Sequence, residues 1–166
     1  QAYQVRVRIP AGVRDGDLLH VAARRARASP APADLELQIQ LAPHALFVLQ
    51  DDGDLRCEIP VDGFAWIAQR SVLVPTLAGL QALALQRDRA HYTVPGQGFP
   101  RTRGGARGDL QVTIVPVFPE QLSTDQNILL DQLIATTTAD SAAPARLRQW
   151  QQQLGQWARR RQSASA

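Results

Sequence analysis

A mainly β fold, with two similar sheet-built units in series and C-terminal α-helices after them, is predicted by three observations. Two Asp-Leu strand entries, Asp34 to Leu41 (DLELQIQL) and Asp109 to Pro116 (DLQVTIVP), begin 75 positions apart. Repetition of a β unit points to like subdomains in series. Eleven glycines and eleven prolines stand at the ends of apolar runs, which is the punctuation of short strands and turns. After Pro119 the apolar spacing changes from that of strands to that of helices.

Val5, Val7 and Ile9 alternate with Arg6 and Arg8, which predicts a half-buried strand ending at Pro10. The turn from Ala11 to Asp17 hands over to a returning strand from Leu18 to Ala22, its glycines and aspartates being turn residues. Residues 22–33 read as a polar loop containing proline. Leu35, Leu37, Ile39 and Leu41 then alternate with Glu36, Gln38 and Gln40, one face core and one face wet. Pro43 to Phe47 marks a change of direction. The acidic turn Asp51 to Asp54 lies between Phe47–Leu49 and Leu55–Ile59, a predicted hairpin. Phe64 to Ala68 reads as a short helix, and Val72 to Val74 as a strand ended by Pro75. Leu80–Leu85 and Ala90–Val94 form the second unit's strand pair, with a glycine-rich loop from Pro95 to Gly108 and a closing strand from Leu110 to Val117.

Ser123 or Thr124 caps the first C-terminal helix, with Gln126 placed for a capping box and Ile128, Leu130, Leu133 and Ile134 as its apolar side. A Thr/Ala/Ser linker at 136–143 leads to a second helix from near Pro144. In it Leu147, Trp150, Leu154 and Trp157 recur at spacings of three, four and three, a seam that must be buried for so short a helix to hold.

With 166 residues, 45% of them hydrophobic, the chain can bury a core as one domain or two. No apolar stretch reaches bilayer length and no hydrophobic leader core opens the sequence, so no membrane partner is expected. Cys57 is the only cysteine. It has no disulfide partner and cannot complete a zinc site, which suits a reducing cytoplasm. The net charge of +3 is uneven: residues 1–140 hold thirteen arginines and all fifteen acids, net −2, whereas 141–166 hold five arginines and no acid, net +5. Nucleic-acid binding draws on a broad basic face, and only the tail is basic.

Ile9-Pro-Ala-Gly-Val13 with Gly16, Pro43-His44 with Phe47, Gly53-Asp54-Leu55, Val74-Pro-Thr-Leu77 with Gly79, Gly96-Gln-Gly98 and Gly108-Asp109-Leu110 recur in one order. Over roughly residues 4–134 this resembles the C-terminal substrate-binding region of DnaJ-type (Hsp40) co-chaperones, in the class without a zinc module, which includes the bacterial curved-DNA-binding relatives. The resemblance implies two small β-sandwich subdomains, the first N-terminally incomplete (1–45) and the second at 46–122, followed by C-terminal helices for dimerisation at 123–162. It implies unfolded polypeptide clients held in a shallow apolar groove for delivery to Hsp70, with no cofactor. It places the first subdomain's opening strands, a Gly/Phe-rich linker and a J-domain with its His-Pro-Asp triplet upstream of Gln1. Without that J-domain this stretch could not stimulate an Hsp70 ATPase. The chain departs from the pattern in two places. Val21 to Arg27 replaces a Lys-Gly-x-Gly turn, and Gln69 stands where a helix-ending glycine is usual.

Leu37 matches a wall position of that groove, and Leu35 and Ile39 share its face; the alternative for all three is sandwich core. The predicted self-association set is Ile128, Leu130, Leu133, Ile134, Leu147, Trp150, Leu154 and Trp157. The second helix's stripe could instead strap its own domain or anchor another protein. His20, His44 and His91 are dispersed, and Cys57 reads as an inert core thiol. No nucleophile elbow, HExxH run or Ser/His/Asp grouping is present, so an enzyme is not expected. The acidic turn lacks the rest of a calcium loop, and neither Gly96-Gln-Gly98 nor Gly104-Gly105 leads into a Lys-Ser/Thr pair. No metal site is expected. The runner-up reading is an architectural DNA-binding, nucleoid-associated protein.

Overall fold

Among the described residues the chain forms three small sheets and three helices. The computed structural model describes residues 6–22, 34–138 and 143–164. In chain order the strands are β1 (Leu18–Val21), β2 (Leu35–Gln38), β3 (Val48–Leu49), β4 (Leu55–Asp62), β5 (Ser71–Thr76), β6 (Gly79–Ala84), β7 (His91–Val94) and β8 (Leu110–Val117); the helices are α1 (Gly63–Ile67), α2 (Thr124–Thr138) and α3 (Ala145–Ala164). Residues 1–118 form one compact unit and 119–166 another.

In the first unit β1 and β2 pair antiparallel, β5 and β6 form a second antiparallel pair, and a four-stranded sheet runs β3-β4-β8-β7. Its centre is the parallel pair β4 and β8, with Leu55 beside Leu110, Cys57 beside Val112 and Ile59 beside Ile114. Parallel neighbours need a long crossover; here it carries α1, the β5–β6 hairpin and β7. Tyr92 and Val94 of β7 stand opposite Val112 and Leu110, so one face of the sheet is lined by rows of apolar side chains. Those rows close on Val74 and Leu85 to make a single core cluster. Val74, Leu110 and Val112 are its most enclosed members. Burying each large aliphatic side chain contributes about 1.5–3 kcal/mol. Arg56 and Glu58, between the buried positions of β4, are exposed.

Helix α1 is shaped at both ends by single residues. The Asp62 carboxylate accepts from Phe64 N–H at 2.9 Å, occupying one donor of the first turn. At the other end Arg70 N–H donates to Ala65 O and Gln69 N–H to Trp66 O, each at 3.0 Å, the two bonds of a Schellman stop. That stop puts Gln69 at φ 54°, where glycine is strain-free and a β-carbon is not. The departure noted at this position therefore keeps the left-handed geometry.

Several expectations are corrected. Residues 6–10 belong to no strand; no described strand lies alongside them to complete a ladder, and Val5 lies outside the described residues. Strand β5 continues through Pro75 to Thr76. Thr76 and Gly79 close a two-residue turn, and Pro75 falls opposite Leu80 in the next pair. Its missing N–H would have faced away from β6, on the side where no described strand pairs, and proline is tolerated there. Strand β6 therefore pairs with β5 and β7 with β8, not with each other. The polar loop read at 22–33 falls almost entirely outside the described residues.

In the second unit Ser123 N–H donates to Gln126 Oε1 at 2.9 Å and Gln126 N–H donates to Ser123 Oγ at 3.2 Å, the predicted capping box. Helix α2 runs on to Thr138, three residues into the stretch read as a linker. The rest of that linker up to 142 lies outside the described residues. The hydroxyls of Thr136 and Thr137 both donate to Leu133 O, at 2.7 and 2.9 Å, so these threonines bond within the helix rather than competing with it.

Replacing Gln69 with glycine is expected to raise stability by about 0.5–1 kcal/mol, the relief of left-handed strain less the added chain entropy. Urea unfolding of the two chains measures the difference.

Candidate functional site

Strand β2 carries the three predicted groove residues on one face. Leu37 stands opposite Leu19 and Leu35 opposite Val21, so these four share a side of the pair, with Ile39 continuing it. Ile39 N–H donates to Asp17 O and its carbonyl accepts from Gly16 N–H, both at 2.8 Å, which extends the ladder by one step. Leu19 is buried, Leu37 and Ile39 are half-buried and Leu35 is 44% exposed. The structure thus brings the three together as an apolar strip open at the Leu35 end. Among the described residues no strand pairs with the outer edge of β2.

The β1–β2 pair is joined to the glycine-rich loop by groups that local pattern could not single out. Arg14 sits over the Phe99 ring at 4.8 Å and donates from Nη2 to Pro100 O at 2.8 Å. Asp17 accepts from Arg14 N–H at 2.8 Å and pairs with Arg103 at 3.0 Å. Gly12 has φ 89°, and a β-carbon there would come to 2.7 Å from Thr102 O. Apart from the local Arg14–Asp17 bond, these partners lie more than 80 positions apart in sequence. The only forewarning is the left-handed turn glycine within the Ile-Pro-Ala-Gly-Val run.

A second knot joins the acidic turn to the start of β8. Asp54 accepts from Asp109 N–H at 2.8 Å and from Gln111 Nε2 at 3.1 Å, and pairs with Arg101 at 3.3 Å. Phe99 N–H donates to Gly53 O at 2.8 Å and Gly98 N–H to Gly108 O at 2.9 Å. A β-carbon on Gly98 would overlap the Gly108–Asp109 backbone. The hydrogen bond from Asp109 N–H, then that from Gln111 and the Arg101 charge, hold the Asp54 carboxyl below its ordinary pKa. Asp17 is lowered in the same way by Arg14 N–H and Arg103. The acidic residues of this turn shape a hairpin: Asp52 accepts from Asp54 N–H at 2.9 Å.

The remaining candidates take local roles. His44 stacks on Phe47 with centroids 5.0 Å apart and accepts from Leu46 N–H at 3.1 Å. His91 Nδ1 lies 3.2 Å from Thr113 Oγ1, and His20 lies 3.4 Å from Asp34. Cys57 is buried, and burial pushes its thiol pKa up, which disfavours the reactive thiolate. Among the described residues no three of His, Cys, Asp and Glu gather as metal ligands, and no described helix is long and apolar enough to cross a membrane.

In α2, Ile128, Leu129, Leu133 and Ile134 are 50–63% exposed and Leu130 is half-buried. At 3.6 residues per turn they spread round the helix rather than forming the single apolar side expected. In α3, Leu147, Trp150, Leu154 and Trp157 do form a stripe, each 45–60% exposed, with Arg161 over the Trp157 ring at 5.3 Å.

A sheet-built module with open apolar strand faces, followed by helices whose apolar side chains face solvent, is the class this geometry defines. The family model described as the DnaJ C terminal domain matches residues 1–119, and the chain belongs to that family. It is 39% identical to "Chaperone protein DnaJ 1" of Aromatoleum aromaticum over 134 residues, which is 77% of this chain and 38% of the relative. It is 32% identical to "Chaperone protein DnaJ" of Xanthomonas axonopodis pv. citri over 142 residues, 82% of this chain and 37% of the relative. Xanthomonas oryzae pv. oryzae has a relative of the same name and identity. The matched stretch spans less than two-fifths of these curated relatives.

Asp54→Asn should lower stability at neutral pH, because the charged form accepts the bonds that join the two strands. A depressed folded-state pKa contributes stability above the ordinary carboxylate range that is lost as pH falls through the folded value. The gap between the two chains should therefore narrow as pH drops below about 4, in urea unfolding at neutral and acid pH.

Proposed function

We propose that this chain is the client-binding and self-association part of a DnaJ-type co-chaperone, holding extended apolar segments of unfolded proteins without covalent chemistry. The observation that carries the reading is the strip Leu35, Leu37, Ile39. It lies within the stretch that matches the DnaJ C terminal domain, on a strand whose outer edge pairs with no described strand, and it is partly exposed where a plain core strand would be covered. Extended polypeptide is recognised by apolar side-chain sites beside strand-edge hydrogen-bonding groups. In this reading residues 1–45 belong to the first client-binding subdomain, 46–122 to the second and 123–162 to the self-association segment. The whole protein would deliver clients to Hsp70 in the cytoplasm through a J-domain.

Helix α2 supports the self-association half of the proposal. Fifteen residues, with apolar side chains round most of the helix and none buried, are marginal alone in water and call for cover. Burying Ile128, Leu130, Leu133 and Ile134, together with the Leu147, Trp150, Leu154 and Trp157 stripe of α3, against a second copy resolves that. Two weak grooves in one dimer would then act with avidity. The DNA-binding alternative draws only on the five arginines of residues 141–166, the preceding 140 residues being net −2.

The purified chain should suppress aggregation of a chemically denatured client without ATP. Leu37→Asp should weaken capture about tenfold, the equivalent of about 1.4 kcal/mol, with secondary structure retained by circular dichroism. Absence of suppression by the parent chain at several-fold excess contradicts the reading. Separately, sedimentation should give twice the 18.2 kDa chain mass, and removal of residues 119–166 should give a monomer.

A further inference from the structure

A cleft of about 750 Å³ opens in the first unit beside Leu41, and none of Leu35, Leu37 and Ile39 lines it. Its apolar wall includes Leu41, Phe47, Leu77 and Phe99, and Asp15 and Asp51 bring negative charge to it. Arg14 also lines it, but its guanidinium is stacked on Phe99 and bonded to Pro100 O. The volume lies in the range of roughly 300–1,000 Å³ typical of ligand sites and has room for a few bulky side chains.

The cleft borders a free strand edge. Val48, Leu49 and Gln50 are among its walls, and β3 is the end strand of its sheet, with no described strand on its far side. Gln50 N–H donates to Asp54 O at 2.8 Å, so Gln50 and Asp54 are a bonded pair. The next pair, Leu49 and Leu55, is by alternation the unbonded kind. Consistent with this, Leu55 N–H donates to Asp109 O, at 2.9 Å. The peptide N–H and C=O of Leu49 therefore point away from β4.

We propose that this cleft is a second client site, taking an extended apolar segment as an added strand on β3, with an adjoining arginine or lysine of the client facing Asp51. Apolar wall, open strand edge and acidic rim together specify that chemistry: the wall takes alternate apolar side chains, the edge takes the main chain, and the carboxylates favour a basic neighbour. The proposal rests on the client-binding reading.

The test uses the complete chain and a short fluorescein-labelled peptide with a Leu-Phe-Leu core, flanked either by arginines or by glutamates, read by anisotropy. The arginine-flanked peptide should bind about threefold tighter, the scale of one exposed charge pair, and Asp51→Arg should reverse the preference. Leu77→Asp, at a turn position already 47% exposed, should weaken both peptides about tenfold with unchanged thermal unfolding. N-methylation at alternate peptide positions should weaken binding only in one register. Binding unchanged by Leu77→Asp and Asp51→Arg but lost in Leu37→Asp overturns the second site and leaves the β2 strip standing. No binding of either peptide by the parent chain overturns the client-binding reading itself.

Discussion

The carboxylate of Asp54, wedged between the first residues of β4 and the first residues of β8, is the contact on which the sheet depends. Two strands separated by nearly fifty residues of crossover have no turn to set their register. Asp54 sets it, accepting from Asp109 N–H while Leu55 N–H donates to Asp109 O. The backbone can come this close only because Gly53, Gly98 and Gly108 meet at the same point. Once Leu55 lies beside Leu110, the pleat puts Cys57, Val112, Tyr92 and Val94 on the same inner face, and the β5–β6 hairpin has a surface to cover.

The open surfaces follow from the same anchoring. The glycine-rich loop that reaches Gly53 also presents Phe99, Pro100 and Arg101 to Arg14. The β1–β2 pair is thereby tied to the glycine-rich loop through the Arg14 guanidinium, the Asp17–Arg103 pair and the left-handed turn at Gly12. Among the described residues no strand covers the outer edge of β2, the arrangement that the proposed binding of extended chains requires. Helices α2 and α3 follow the opposite logic, their exposed apolar side chains calling for burial elsewhere.

What was readable in the sequence is what local rules decide. The Asp51–Asp54 turn, the helix at Phe64, the strand Leu110–Val117 and the Ser123–Gln126 capping box each depend on residues a few positions apart, and each is present. Strand pairing is a non-local choice, and the pairing of Leu80–Leu85 with Ala90–Val94 fails because Thr76 and Gly79 close a tighter hairpin first. Pro75 misled as a terminator because an edge strand has one side where an N–H is not needed. In the β2 strip the period placed Leu35, Leu37 and Ile39 on one face, but not how far each is covered. The Arg14 clamp and the cleft beside β3 are assembled across dozens of residues and leave no periodic trace. Gln69 is the converse case, a residue of the wrong type in a position whose geometry is kept nonetheless.

Native-state hydrogen exchange on the Gly98→Ala variant tests this anchoring most directly. A methyl group there must push Gly108 and Asp109 away from the acidic turn. The account predicts that the amides of Leu55, Phe99 and Asp109, slowest to exchange in the parent chain, lose protection together, followed by those of β8. If those amides stay protected in the variant while protection is lost elsewhere, the Asp54 contact is not what holds the two strands in register.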